Sequence, residues 1–375
     1  MKKIIISLIL IFTVFYQSDI FARIKLTALP KREKVVAKLT NLKPTLVEEE
    51  RTLSLQKGIN LVDFSWKNVS IDQKSIKLFI LSHPDKVRLI NISYPPGENS
   101  IIMKIFSEEA FSEKVRLTYL LKNINLMIDY TATVNKEETK MQLKIYAVLR
   151  NFSGENFKNA IFTTDEGKTI KTSIDNNETK RIFLTKIKDI PIGKEFIFDS
   201  KTMPWNPDDE NKTVGIPMYY TFKNDKEHNL GSFVFKRGKI RIFQEDGHGS
   251  KIFLGEDQID TQLYPGDEVK IYISQSRDIK VEQNLMKSKR INIRRNHSNY
   301  IILYDVDEIL KVKIKNFKNK PAKLKLIEYI DGEWEMKQSP KYEKENYQKL
   351  IYTFNLKPKE EKTFKIHYIK KNIRR

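Results

Sequence analysis

Apolar and polar residues alternate in short runs along nearly the whole chain, and a repeat of two residues confines such a chain to sheets. The run 143–149 shows it: Leu143, Ile145, Ala147 and Leu149 fall on one side of an extended backbone. Similar spacing recurs at 75–81, 101–105, 115–121, 181–187, 269–273, 311–316, 324–330 and 363–369. Turn formers such as Lys57-Gly58, Pro95-Pro96-Gly97, Ser153-Gly154, Arg237-Gly238, Pro265-Gly266 and Asp331-Gly332 separate the runs. Strand after strand at this spacing predicts an all-β chain of stacked antiparallel sheets. Only residues 107–111 allow a short helical turn.

The first residues read as an export signal. Lys2 and Lys3 precede the apolar run 4–16, and a polar stretch then ends at the small residue Ala22, after which cleavage is expected. The run is shorter than the roughly 20 residues of a spanning helix, so a secreted or periplasmic chain is preferred over an anchored one. No cysteine is present, which excludes a lipid-modified cysteine and disulfides and leaves buried apolar area as the source of stability.

The 68 Lys and Arg against 48 Asp and Glu give a formal charge of +20. Export argues against nucleic acid as the partner. Solubility and attraction to anionic envelope polymers account for the charge instead. One denser cluster, Lys287, Lys289, Arg290, Arg294 and Arg295, is a candidate anion-binding stripe; on an extended strand Arg290, Asn292 and Arg294 share one side, with Ile291 and Ile293 on the other.

At 375 residues the chain is too long for one core. Polar segments at 106–112, 203–215 and 223–229 suggest cuts: a signal peptide at 1–22, an N-terminal β-domain at 23–112, a middle β-sandwich at 113–228 and a C-terminal immunoglobulin-like sandwich at 229–375. The last is marked by the strand-turn-strand of Asn316, Asn319 and Pro321 with Leu324, Leu326 and Tyr329 following, closed by the strand 364–368.

Two stretches carry a resemblance. The segment 47–60, from Val47-Glu48-Glu49-Glu50-Arg51 to Gly58-Ile59-Asn60 and on to Ser75, resembles the opening strands of the mucoidy-inhibitor-like bacterial family, domain of unknown function four thousand one hundred thirty-nine. The segment 148–160 with Asn151-Phe152-Ser153-Gly154, then Gly238 to Phe243, Phe253 to Glu256 and 312–368, is similar to that family's later sandwiches. The family's usual coiled coil is missing, as is a Pro before Gly238. The resemblance implies an extracytoplasmic β-rich protein without an established activity, and it supplies no catalytic residues.

No constellation of reactive side chains stands out. His83, His228, His248, His297 and His367 lie far apart, without metal-ligand spacing. Asp208, Asp209 and Glu210, and Asp305, Asp307 and Glu308, offer oxygens without a calcium-loop pattern. Gly247-His248-Gly249 lacks the third glycine of a dinucleotide fingerprint, and Ser82-His83 and His297-Ser298 lack an acid placed to orient the base. Trp205 and Trp334 are candidates for stacking on sugar rings, with Trp66 assigned to the core. No cofactor and no catalytic residue are expected. The function expected is that of a non-enzymatic, exported binding or scaffolding factor meeting an envelope protein or an anionic or glycan polymer. The alternative is a carbohydrate-binding or carbohydrate-active protein.

Overall fold

The computed structural model describes residues 26–39, 44–164, 167–203 and 215–374. The export signal with its cleavage point, the acids at 208–210 and Trp205 lie outside the described residues. All regular structure among the described residues is β-strand, and residues 107–111, where a helical turn was allowed, join two strands.

In chain order the strands begin with β1 (Leu26–Ala28), β2 (Lys34–Leu39), β3 (Thr45–Leu55), β4 (Gly58–Ser65), β5 (Ile71–Ile80), β6 (Val87–Ser93), β7 (Ser100–Ser107) and β8 (Phe111–Leu121). They continue as β9 (Ile124–Val134), β10 (Lys140–Asn151), β11 (Phe157–Thr164), β12 (Thr169–Ile174), β13 (Glu178–Pro191), β14 (Gly193–Asp199), β15 (Ile216–Lys223), β16 (Gly238–Glu245) and β17 (Lys251–Ile259). The remainder are β18 (Glu268–Ser276), β19 (Ile279–Arg295), β20 (Ile301–Asn316), β21 (Ala322–Tyr329), β22 (Glu333–Gln338), β23 (Glu343–Lys344), β24 (Lys349–Leu356) and β25 (Glu361–Arg374).

Among the described residues these strands form five sheets, with strand orders β1-β4-β7-β6, β12-β11-β2-β3-β8-β5, β13-β10-β9-β16-β17, β18-β15-β14-β21-β24-β23 and β19-β20-β25-β22. Most neighbours are antiparallel, as the spacing led one to expect. The pairs β1/β4, β2/β11, β9/β16 and β14/β21 are parallel, a distinction to which a repeat of two residues is blind.

The chain forms two compact units, one of Met1–Leu126 with Leu149–Lys180, the other of Met127–Val148 with Arg181–Arg375. The divisions fall within β9, β10 and β13. Two of the polar segments lie beside or contain buried polar groups. After 106–112 comes Glu113, whose buried carboxylate accepts the N–H groups of Ser82 at 2.8 Å and His83 at 3.2 Å. Within 223–229, Asn224 is buried and donates to the Phe233 carbonyl at 2.8 Å. Buried polar groups that are satisfied in this way hold loops against a core and do not mark linkers.

The first unit has one core, including Val47, Val115, Leu117, Ile101, Met103, Ile105, Phe157 and Phe162. The second unit has two. One gathers Tyr130, Ala132, Leu143, Tyr220, Phe222, Ile240 and Ile271; the other gathers Phe196, Ile279, Val312, Ile314, Leu324, Leu326, Tyr352 and Ile366.

Two sets of eight strands share one wiring. In the first octet the order β12-β11-β2-β3-β8 lies in one sheet and β13-β10-β9 in another; in the second the orders are β24-β21-β14-β15-β18 and β25-β20-β19. Strand by strand, β2, β3, β8, β9, β10, β11, β12 and β13 correspond to β14, β15, β18, β19, β20, β21, β24 and β25. Each octet even has its parallel pair at the same place, β2/β11 and β14/β21.

A buried asparagine closes the same corner in both. Asn151 Nδ2 donates to the carbonyls of Glu155 at 2.7 Å and Asp175 at 3.1 Å, and its Oδ1 accepts the Ser153 N–H at 3.3 Å. Asn316 Nδ2 donates to Lys320 at 3.0 Å and Lys357 at 2.9 Å, and its Oδ1 accepts the Lys318 N–H at 2.9 Å. The facing turns match as well: Glu178 caps the Asp175 N–H at 2.8 Å, and Glu360 caps the Lys357 N–H at 2.6 Å.

At the first corner the chain also needs a glycine. Gly154 has φ +88°, and a Cβ there would stand 1.8 Å from the Asn68 carbonyl oxygen. Gly154→Ala is expected to destabilise the first unit by more than about 2 kcal/mol, because strain and a backbone clash add. A urea midpoint equal to that of the parent would refute this.

Candidate binding face

The second octet ends in an arm. Its strands β19, β20 and β25 cover the core through Val281, Leu310, Val312, Ile366 and Tyr368 and then run on past it. Met286, Ile293, Tyr300 and Ile302 on that arm are exposed by 59%, 44%, 66% and 46%. The first octet has no such arm: β9 ends at Val134 and β10 begins at Lys140, and Tyr130, Ala132, Val134, Met141, Leu143 and Ile145 near those ends are all buried. There β9 also gains a second neighbour, β16.

The side of the arm continuous with the core carries a cross-strand row. Arg290 on β19 pairs with Val306 on β20, Val306 with Lys370 on β25, and Lys370 with Trp334 on β22. Three strand spacings of about 4.8 Å separate the ends of that row. The Arg290 guanidinium lies over the Tyr304 ring at 4.6 Å. Lys370 meets Glu308 at 2.9 Å. Trp334 is half-buried against the core, donates its indole N–H to the Tyr347 carbonyl at 3.0 Å, and has Lys344 above its ring at 4.6 Å. Cations set beside aromatic rings in this way suit a flat ligand carrying negative charge.

The basic stripe does not keep to one side. Pairing shifts register between Ile291 and Arg294, and Asn292 adopts a φ of 49°, so the alternation that would put Arg290, Asn292 and Arg294 together is broken. Asn292 turns to Asp305 at 2.8 Å, where Arg294 also approaches at 3.7 Å. Lys287 pairs with Asp307 at 2.5 Å, next to His367 at 2.7 Å. Both acids are held below the ordinary carboxylate range, Asp305 first by the Asn292 amide and Asp307 first by Lys287. The oxygens that suggested calcium are therefore engaged by Asn, Lys and His. Arg295 donates to the Asn299 carbonyl at 2.8 Å. Among the described residues Lys289 and Arg290 have no carboxylate partner.

Elsewhere, reasoning from the sequence overlooked Glu113, which meets His83 Nδ1 at 2.8 Å although 30 residues separate them. The Ser82 hydroxyl accepts the Lys114 N–H at 3.3 Å. A second buried acid, Glu49, is clasped by Arg51 at 2.7 Å with Arg32 at 3.7 Å; burial pushes its carboxyl up while the two arginines oppose this. Arg32 in turn reaches Glu155 at 2.5 Å. These contacts fasten the segment before β2 to its sheet. Among the described residues no group of three His, Asp or Glu side chains is placed to hold a metal ion, and no helix is long and apolar enough to cross a membrane.

No protein-family model matches the chain, and no curated protein does either.

Proposed function

We propose that the chain is an exported, non-enzymatic binding or scaffolding factor of the cell envelope, and that the bare arm of the second octet is its binding element. The observation that carries this reading is a contrast between the octets: Tyr130, Ala132, Leu143 and Ile145 on β9 and β10 are buried, whereas β19 past Leu285 is exposed at every position but Ile291. An exposed sheet extension with apolar and cationic side chains costs solubility unless something occupies it. The charged, then apolar N-terminus expected to act as an export signal supports the location.

The purified chain is expected to sediment with envelope fragments of its own source. A variant with residues 288–307 replaced by an Asn-Gly turn should lose that association and keep its unfolding midpoint. Equal sedimentation of the two proteins, or turnover of a glycan, peptide or ester by the parent, would remove the reading.

The row Arg290, Val306, Lys370 and Trp334 favours a second reading, an acidic polysaccharide laid across the arm. Polygalacturonate is then expected to bind in a salt-sensitive manner. Arg290→Ala combined with Trp334→Ala should weaken it about tenfold or more, by loss of one charge contact and one stacking surface. Unchanged affinity in the double variant ends that possibility.

A further inference from the structure

Resting on the binding role given to the arm, we propose that β19 accepts an extended acidic segment of a partner polypeptide as an added parallel strand along residues 287–291. The first octet supplies the template. There β9, the counterpart of β19, is flanked on one edge by β10 and on the other by β16, and β16 runs parallel to it from Ile128 opposite Gly238 to Val134 opposite Gln244. β19 ends its sheet, with β20 as its neighbour.

The two positions can be aligned by the octets' own hydrogen bonds. Asn123 just before β9 accepts the Phe152 N–H at 2.8 Å, and Asp278 just before β19 accepts the Phe317 N–H at 2.8 Å. Counting from those anchors, the part of β9 that β16 covers, Ile128 to Val134, corresponds to Gln283 to Lys289 of β19, which overlaps the proposed stretch at 287–289. The register of β19 breaks between Leu285 and Lys287 and again between Ile291 and Arg294, and between these breaks it is regular. Bulges and lysines commonly blunt a sheet edge against self-association. Here they bracket a regular stretch and do not interrupt it.

Charge decides the occupant. Lys287, Lys289 and Arg290 line the stretch, and a second copy pairing there would set like charges opposite each other, which destabilises a ladder. An acidic strand turns the same positions into opposite-charge pairs, while its backbone supplies the hydrogen bonds of strand addition.

The test uses the full chain and three probes: a peptide of alternating Glu and Val about ten residues long, the same peptide with every second amide N-methylated, and polygalacturonate. The parent peptide is expected to bind and to slow hydrogen exchange of the amides at 287–291. N-methylation should weaken it about tenfold or more, since the charge is kept and the ladder is lost. Lys289→Glu with Arg290→Glu should have a similar effect without moving the unfolding midpoint. Equal binding of the methylated peptide overturns the proposal, because ion pairing alone would then suffice. Binding of polygalacturonate without binding of either peptide also overturns it and leaves the polysaccharide reading standing. Self-association through β19 replaces the acidic partner with a second copy. Failure of all three probes, with envelope sedimentation retained, removes strand addition alone; loss of sedimentation as well removes the binding role.

Discussion

Asn316→Ala is expected to destabilise the second unit by about 3–5 kcal/mol. The side chain is fully buried and joins three backbone groups: the carbonyls of Lys320 and Lys357 and the N–H of Lys318. Truncation leaves each of these without its partner, and each buried group so orphaned costs roughly 1–3 kcal/mol. Set against a typical domain stability of about 5–15 kcal/mol, such a loss brings the unit close to unfolding at ordinary temperature. Asn316→Asp separates shape from donor capacity, since it preserves the acceptor and removes the donor to the two carbonyls; it should be nearly as damaging. Asn151→Ala should act likewise on the first unit through Glu155, Asp175 and Ser153. Urea unfolding followed by tryptophan and tyrosine fluorescence reads both, and midpoints that barely move would show that the shared corner is decorative.

A second large effect is expected from Glu328. Its carboxyl is buried in the second unit, and that burial raises it from an ordinary 4.5 to about 7, against the hydrogen bonds of Gln283 and Ser200 and with Asp199 adding to the rise. Among the described residues the Gln283 Oε1 has no hydrogen-bond partner. Between pH 4.5 and pH 7 the unfolded chain releases this proton while the folded chain keeps it. Stability therefore falls as pH rises through that window and levels off above it, by about 3 kcal/mol in all. Glu328→Gln keeps the shape and has no proton to lose. Relative to the parent it should be equally stable near pH 4.5 and more stable by up to about 3 kcal/mol at pH 8. Groups held low, such as Glu335 at about 2 through Lys337 and Lys371, act below that window and cancel in the comparison. Parallel stability curves for the two proteins would contradict the assignment.

The sheets were legible because alternation is a local property: each of the runs at 101–105, 115–121, 143–149 and 269–273 lies inside a strand. Which strands lie side by side was not. Pairings such as β16 with β9 join residues more than a hundred positions apart, and no spacing rule reaches that far. Nor could spacing reveal that polar side chains such as Glu113 and Asn224 are turned inward. The duplication left a trace that was readable in principle, Asn151-Phe152 and Asn316-Phe317, each followed by a turn and a new strand. It was obscured because little else in the two stretches is shared.

For the candidate face, Arg290 and Trp334 were picked out singly, from charge density and from a turn. The row that unites them depends on β20 and β25 standing between, so Lys370, Val306 and Tyr304 escaped notice. The broken alternation at Asn292 could not be foreseen either, because a left-handed residue within a strand announces itself only weakly through its identity.

The arm's position beyond the core frees it from a constraint that binds most of the chain. Exchanges at Lys289, Arg290, Ile293 or Ile302 leave the packed interior untouched, so the surface chemistry of the arm can drift while the architecture stands still. Descendants of such a gene would be expected to diverge fastest at that tip.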